Sequence, residues 1–129
     1  MNKISVELAD FLKFVDNVLK DYKLYKDYLD NEDKILQDIL HSFELGKLST
    51  NEKGKLATRL VTNRKDRRYY KDKVEELEPI FQFFTEPTNK KVLDNLKQVL
   101  GDVRKTEKYH ANRNYKPKIL KLNKESKND

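Results

Sequence analysis

The chain has no cysteine and no tryptophan, only three glycines and three prolines in 129 residues, and no long apolar run. Without cysteine there is no disulfide framework, no thiolate nucleophile and no thiol zinc site, and a reducing cytoplasm is the simplest compartment for such a chain. Gly46, Gly54 and Gly101 are too scattered to build a P-loop or a dinucleotide fingerprint. No window approaches the roughly 18 consecutive apolar residues of a membrane span, and Glu7 interrupts any signal-peptide apolar region after Met1. Neither export by that route nor a membrane partner is expected. Strand signals are also missing: β-branched runs, Asn-Gly and Asp-Gly do not occur.

Catalytic and metal-binding groups fail to converge. The two histidines, His41 and His110, have no neighbouring nucleophile and no HExxH spacing. Glu75, Glu76 and Glu78 cluster as a solvated helix face would, rather than as a paired acid and base. The sequence therefore predicts no catalytic residue, no metal and no cofactor, and a protein that binds rather than transforms.

What the chain does have is charge and helical periodicity. Charged residues make up 39% and apolar residues 36%, and mean hydropathy is −0.95, a balance suited to long helices with one buried stripe. The net charge of +6 is unevenly spread: six Lys against ten acids leave residues 1–46 at −4, while 22 Lys or Arg against 12 acids leave 47–129 at +10. The basic portion would attract a polyanion or an acidic protein surface. Eleven Asn beside many Lys and few Gly also fit AT-rich coding, in which case the excess is mostly solvated surface.

Periodicity predicts an all-α fold: a small bundle or extended hairpin of three to five helices, with one domain over 1–110 and a basic irregular arm or tail over 111–129. Ser5 reads as an N-cap, and Leu8, Phe11, Leu12, Val15, Val18, Leu19, Tyr22, Tyr25 and Leu29 mark a first helix over 5–29. Asp30-Asn31-Glu32-Asp33 then caps a second over 32–45, with Gly46 as its stop; one continuous helix is the alternative, since no Gly or Pro interrupts 30–33. Ser49-Thr50-Asn51-Glu52 has capping-box spacing and opens a helix over 50–78 that Pro79 kinks on its way to 84. Thr88 caps a last helix over 89–109, its stripe formed by Val92, Leu93, Leu96, Val99, Leu100 and Val103. The helix from 50 is on the order of 45 Å long, more than a small globule needs, so a homodimer with a scaffold role is one reading.

Two basic regions are candidate binding surfaces. In Asn63-Arg64-Lys65-Asp66-Arg67-Arg68-Tyr69-Tyr70-Lys71-Asp72-Lys73, three- and four-residue steps align Arg64, Arg68 and Lys71, whose guanidinium forks suit phosphate or carboxylate. Tyr69 and Tyr70 beside them could stack on bases, and Asp66 and Asp72 could instead neutralise the strip. Arg67 differs from its neighbours. With Asn63 it lies on the apolar face, so it needs either a carboxylate from another helix, the favoured reading, or a partner. The second region carries Arg104, Lys105, Lys108, Arg113, Tyr115 and Lys116, within a stretch from Val103 to Lys124 holding eight Lys or Arg against one Glu. It could wrap phosphates, remain a solvated tail, or dock through Ile119, Leu120 and Leu122.

The stretch Leu48–Tyr115 resembles small uncharacterised helical accessory proteins of phages and prophages from low-GC Gram-positive bacteria. Leu48-Ser49-Thr50-Asn51-Glu52, Asn63 to Arg68, Lys71 to Pro79 and Gly101 to Tyr109 carry the likeness. It implies an accessory protein in the bacterial cytoplasm, of a class rich in inhibitors of host replication, transcription or defence machines. The expected partner is then a bacterial host protein, such as a CRISPR effector or another nucleic-acid-handling machine, with nucleic acid itself as the alternative.

Overall fold

The computed structural model describes residues 3–120, and three helices hold most of them: α1 over Ile4–Leu45, α2 over Thr50–Thr85 and α3 over Pro87–Ala111. The described residues contain no strand, and no described helix is long and apolar enough to cross a membrane. The 42 residues of α1 rise about 63 Å and form the spine. Tyr22 stacks on Phe81 and Asp33 pairs with Arg67, so α2 runs antiparallel to α1 along its C-terminal half. Ser5 meets Glu107, while Leu93 shares a depression with Asp16 and Leu19, so α3 is antiparallel to α1 as well, along its N-terminal half. The molecule is a long hairpin whose return arm is broken once, at Glu86.

The two partners take different faces of the spine. Leu8, Leu12, Val15 and Leu19 pack with Leu93, Leu96 and Leu100, with Phe84 at one end. Tyr22, Tyr25, Glu32 and Ile39 belong to the contact with α2, a set rotated by roughly a quarter turn at 100° per residue. Val15, 1% exposed, sits at the centre of the α1–α3 core.

Several boundaries differ from the sequence expectation. The predicted helices 5–29 and 32–45 are one helix, because Glu32 and Asp33 are spent on Asn63 and Arg67 across the interface rather than on capping. Ser5 is not an N-cap. Lys3 takes that position without a side-chain bond, and the exposed amide end of α1 is served by Glu107, which accepts from the Ser5 N–H at 3.2 Å. Gly46 does end α1, in an extended rather than left-handed conformation. A Cβ there would lie 2.6 Å from the Ser42 carbonyl oxygen, so the exit path requires glycine.

The capping box forms as expected: the Glu52 N–H donates to Ser49 Oγ at 3.2 Å and the Ser49 N–H donates to Glu52 Oε1 at 3.4 Å. From it α2 runs through Pro79 to Thr85, held past the proline by the Tyr22–Phe81 stack, whose ring centroids are 4.1 Å apart. What breaks the arm is Pro87. It holds Glu86 extended and then opens α3 at a first-turn position. Glu86, not Thr88, is the cap, accepting from the Asn89 N–H at 3.1 Å. Phe11, Val92 and Val99, expected in the core, are exposed.

Hydrogen bonding from Ser5, by its side chain and then its amide, outweighs partial burial and holds the Glu107 carboxyl below the usual carboxylate range, with Lys3 and Arg104 adding to the effect. A depressed acid favours the folded state above its unfolded value and loses that contribution as pH falls through the folded one. Thermal melts by circular dichroism between pH 7 and pH 3 should show Glu107→Gln a few degrees less stable at pH 7. The difference should close at the acid end; a constant difference would refute the assignment.

Candidate binding surface

The interface between α1 and α2 uses the polar residues that looked anomalous in the sequence. Asn63, 2% exposed, donates from Nδ2 to the Glu32 carbonyl oxygen at 2.8 Å and to its carboxylate at 2.7 Å. Its Oδ1 is buried without a hydrogen-bond partner among the described residues. One turn on, Arg67 Nε donates to Asp33 Oδ1 at 2.7 Å. Arg67 is thus committed within the molecule, as the favoured reading had it. Two adjacent polar contacts tie Asn63 and Arg67 to neighbouring residues of α1, which pins the register between the helices.

The residues around Arg67 divide between the two flanks of α2. Arg64, Arg68 and Lys71 fall within about 60° of one another around the helix axis. None of the three lies within ion-pair distance of a carboxylate among the described residues, whose salt bridges are Arg67–Asp33 and Lys73–Glu76. The interleaved Asp66 and Asp72 therefore do not neutralise the strip.

Tyr69 lies about 100° or more from these cations, on the other flank, and Tyr70 faces α1. Both join Tyr25 and Tyr28 in a cluster whose ring centroids are 5.1 to 6.2 Å apart. Lys73 Nζ stands 5.7 Å from the centroid of Tyr69. Burial, and then the charges of Asp66 and Glu32, push the Tyr70 phenol above the usual tyrosine value. Tyr69 remains 52% exposed, its ring held in place by its neighbours. The outer face of α2 thus presents Val61, Arg64 and Arg68 on one side and Tyr69 on the other. Sequence reasoning placed Tyr69 and Tyr70 together beside the cations; the cluster that separates them needs Tyr25 and Tyr28 from a distant helix, although four of the seven tyrosines falling on facing stripes was a visible signal.

The second basic region is not brought to the first. Arg104 and Lys108 line an open depression with Lys3, Asp10 and Glu107 at the start of α1, and Lys105 is exposed on the same helix. Arg113, Tyr115 and Lys116 are exposed beyond α3, where residues 113–120 have neither helix nor strand. About 19 residues of α1 separate the levels of Lys71 and Arg104, roughly 30 Å of helix. The rest of α2 over that interval carries Asp72, Glu75, Glu76 and Glu78. Lys121 and Lys124 lie outside the described residues.

Among the described residues no group of three His, Cys, Asp or Glu side chains could hold a metal. His41 sits in an open depression with Asp33, Glu44 and Arg67, and His110 rests beside Tyr109 on α3. Comparison of the chain with protein-family models, curated proteins and solved structures gives no match.

Proposed function

We propose that this chain is a non-enzymatic binding protein that engages an acidic surface of a protein partner with the outer face of α2. One observation carries the reading: among the described residues Arg64 and Arg68 have no carboxylate within ion-pair distance, whereas Arg67 between them is committed to Asp33. Cations held on a rigid helix without an internal acceptor suit carboxylates arriving from outside, and Arg and Tyr are enriched among interface anchors. Tyr69 is fixed by its cluster before binding, which lowers the entropy lost on association.

The interval of acidic residues between the two basic regions favours a compact protein contact over one continuous phosphate track. With the phage likeness, the partner class is a bacterial nucleic-acid-handling or defence protein in the host cytoplasm, which this protein would modulate or inhibit. Fluorescence anisotropy against single-stranded and duplex DNA and RNA, at low and near-physiological salt, separates the readings. Weak binding that disappears at physiological salt is expected; submicromolar binding that survives there and falls on truncation after Tyr109 would replace the protein partner with nucleic acid.

A further inference from the structure

The positive strip on α2 is followed, on the same flank, by a negative one. Steps of three and four residues lead from Arg64, Arg68 and Lys71 on to Glu75 and Glu78. Arg64, Arg68 and Glu75 are exposed. Among the described residues none of the five has an opposite charge within ion-pair distance, the salt bridges there being Arg67–Asp33 and Lys73–Glu76. Glu78 instead accepts from Gln82 Nε2 at 3.3 Å, one turn further along. Like charges at this spacing repel, so the cations and the carboxylates each lack the counter-charge that the other block holds.

Read from either end, the flank carries the same pattern with its sign reversed. A two-fold axis perpendicular to α2 and passing beside Lys71 sets Arg68 opposite Glu75 of a second copy, and Arg64 opposite Glu78 of that copy. Each pair then lies within about 1.5 Å of the same level along the helices, one residue's rise. Such an interface is isologous, so both contacts occur twice, and Lys71 falls near the axis between the two Glu75 side chains. At each end Val61, 55% exposed, comes to about the level of Phe83 of the second copy, 56% exposed. The charged strip is thus closed by an apolar contact on either side.

We propose that α2 pairs antiparallel with α2 of a second copy of this chain through this flank, forming a two-fold symmetric dimer. A uniformly charged surface spanning the whole flank would match one block and repel the other, whereas a second copy supplies both signs in the required order. Exposed ion pairs are individually weak and screened by salt, so the dimer fills at high protein concentration and disperses as ionic strength rises. Arg64 and Arg68 are also the cations assigned to the acidic partner, and the dimer withholds them from it. That consequence rests on the function proposed above; the pairing itself does not.

Sedimentation equilibrium of the full-length protein alone tests the pairing. The wild type should show a monomer–dimer equilibrium at low salt, with a dissociation constant that rises at least about tenfold at high salt. Arg68→Glu and Glu75→Arg should each weaken dimerisation by at least about tenfold, because symmetry turns two attractions into two repulsions. Mixed in equal amounts, the two variants should associate within about threefold of wild-type strength, since in the heterodimer every altered side chain faces an opposite charge. A wild type that stays monomeric at low salt up to about 1 mM would overturn the proposal, and so would a mixture that fails to recover association. Neither result bears on the acidic partner, which is absent from the measurement.

Discussion

Replacing Arg64 and Arg68 together by Glu is expected to weaken partner binding by a hundredfold or more while leaving the melting temperature unchanged. Each guanidinium stands ready for a charge-assisted hydrogen bond worth about 1.5–3 kcal/mol, and reversal turns each attraction into repulsion. Loss of both exceeds about 2.7 kcal/mol, the equivalent of a hundredfold in affinity. The fold should tolerate the change, since neither residue has an ion-pair partner among the described residues. Arg67→Glu should behave in the opposite way, because it sets a carboxylate against Asp33 and so lowers stability. Calorimetric titration with the captured partner, alongside thermal melts of all variants, checks both halves. Full retention of binding by the double variant would sink the assignment of this face.

Truncating Leu100 to Ala should cost about 3 kcal/mol, as for other buried leucines, and lower Tm by about 10 °C. Leu100, Leu93, Leu12 and Val15 form the buried cluster that holds α3 on the spine, a small core with little redundancy. Denaturant titration followed by circular dichroism gives the free-energy difference. A cost below about 1 kcal/mol would mean that α3 is not held by this cluster. Val99→Ala is the internal comparison: its side chain is exposed, and the same measurement should find it close to neutral.

The features legible in the sequence are those written within a few residues. The Ser49–Glu52 capping box, the end of α1 at Gly46 and the need of Arg67 for an internal carboxylate all follow from local chemistry. The misreadings have a common cause, which is that periodicity shows a helix has an apolar side without saying which neighbour covers which part. Phe11, Val92 and Val99 lie on apolar stripes, yet the sideways step at Pro87 moves α3 to a different face of α1 and leaves them uncovered. Asp30-Asn31-Glu32-Asp33 looks like a cap because its real use depends on Asn63 and Arg67, more than thirty residues further on. Glu107 was invisible as a capping group, its bond to Ser5 spanning 102 positions.

That bond also bears on how the chain comes into being. During synthesis, at about 5–20 residues per second, α1 leaves the ribosome before α2 and α3 and has neither of them to pack against. Its C-terminal half acquires a companion when α2 follows. Its N-terminal half, made before the rest of these three helices, waits until Leu93, Leu100 and finally Glu107 have emerged. The fold therefore closes from the C-terminal end of the spine, beside the turn at 46–49, toward its N-terminal end, and for several seconds a nascent chain displays Leu8, Leu12 and Val15 to the chaperones around it.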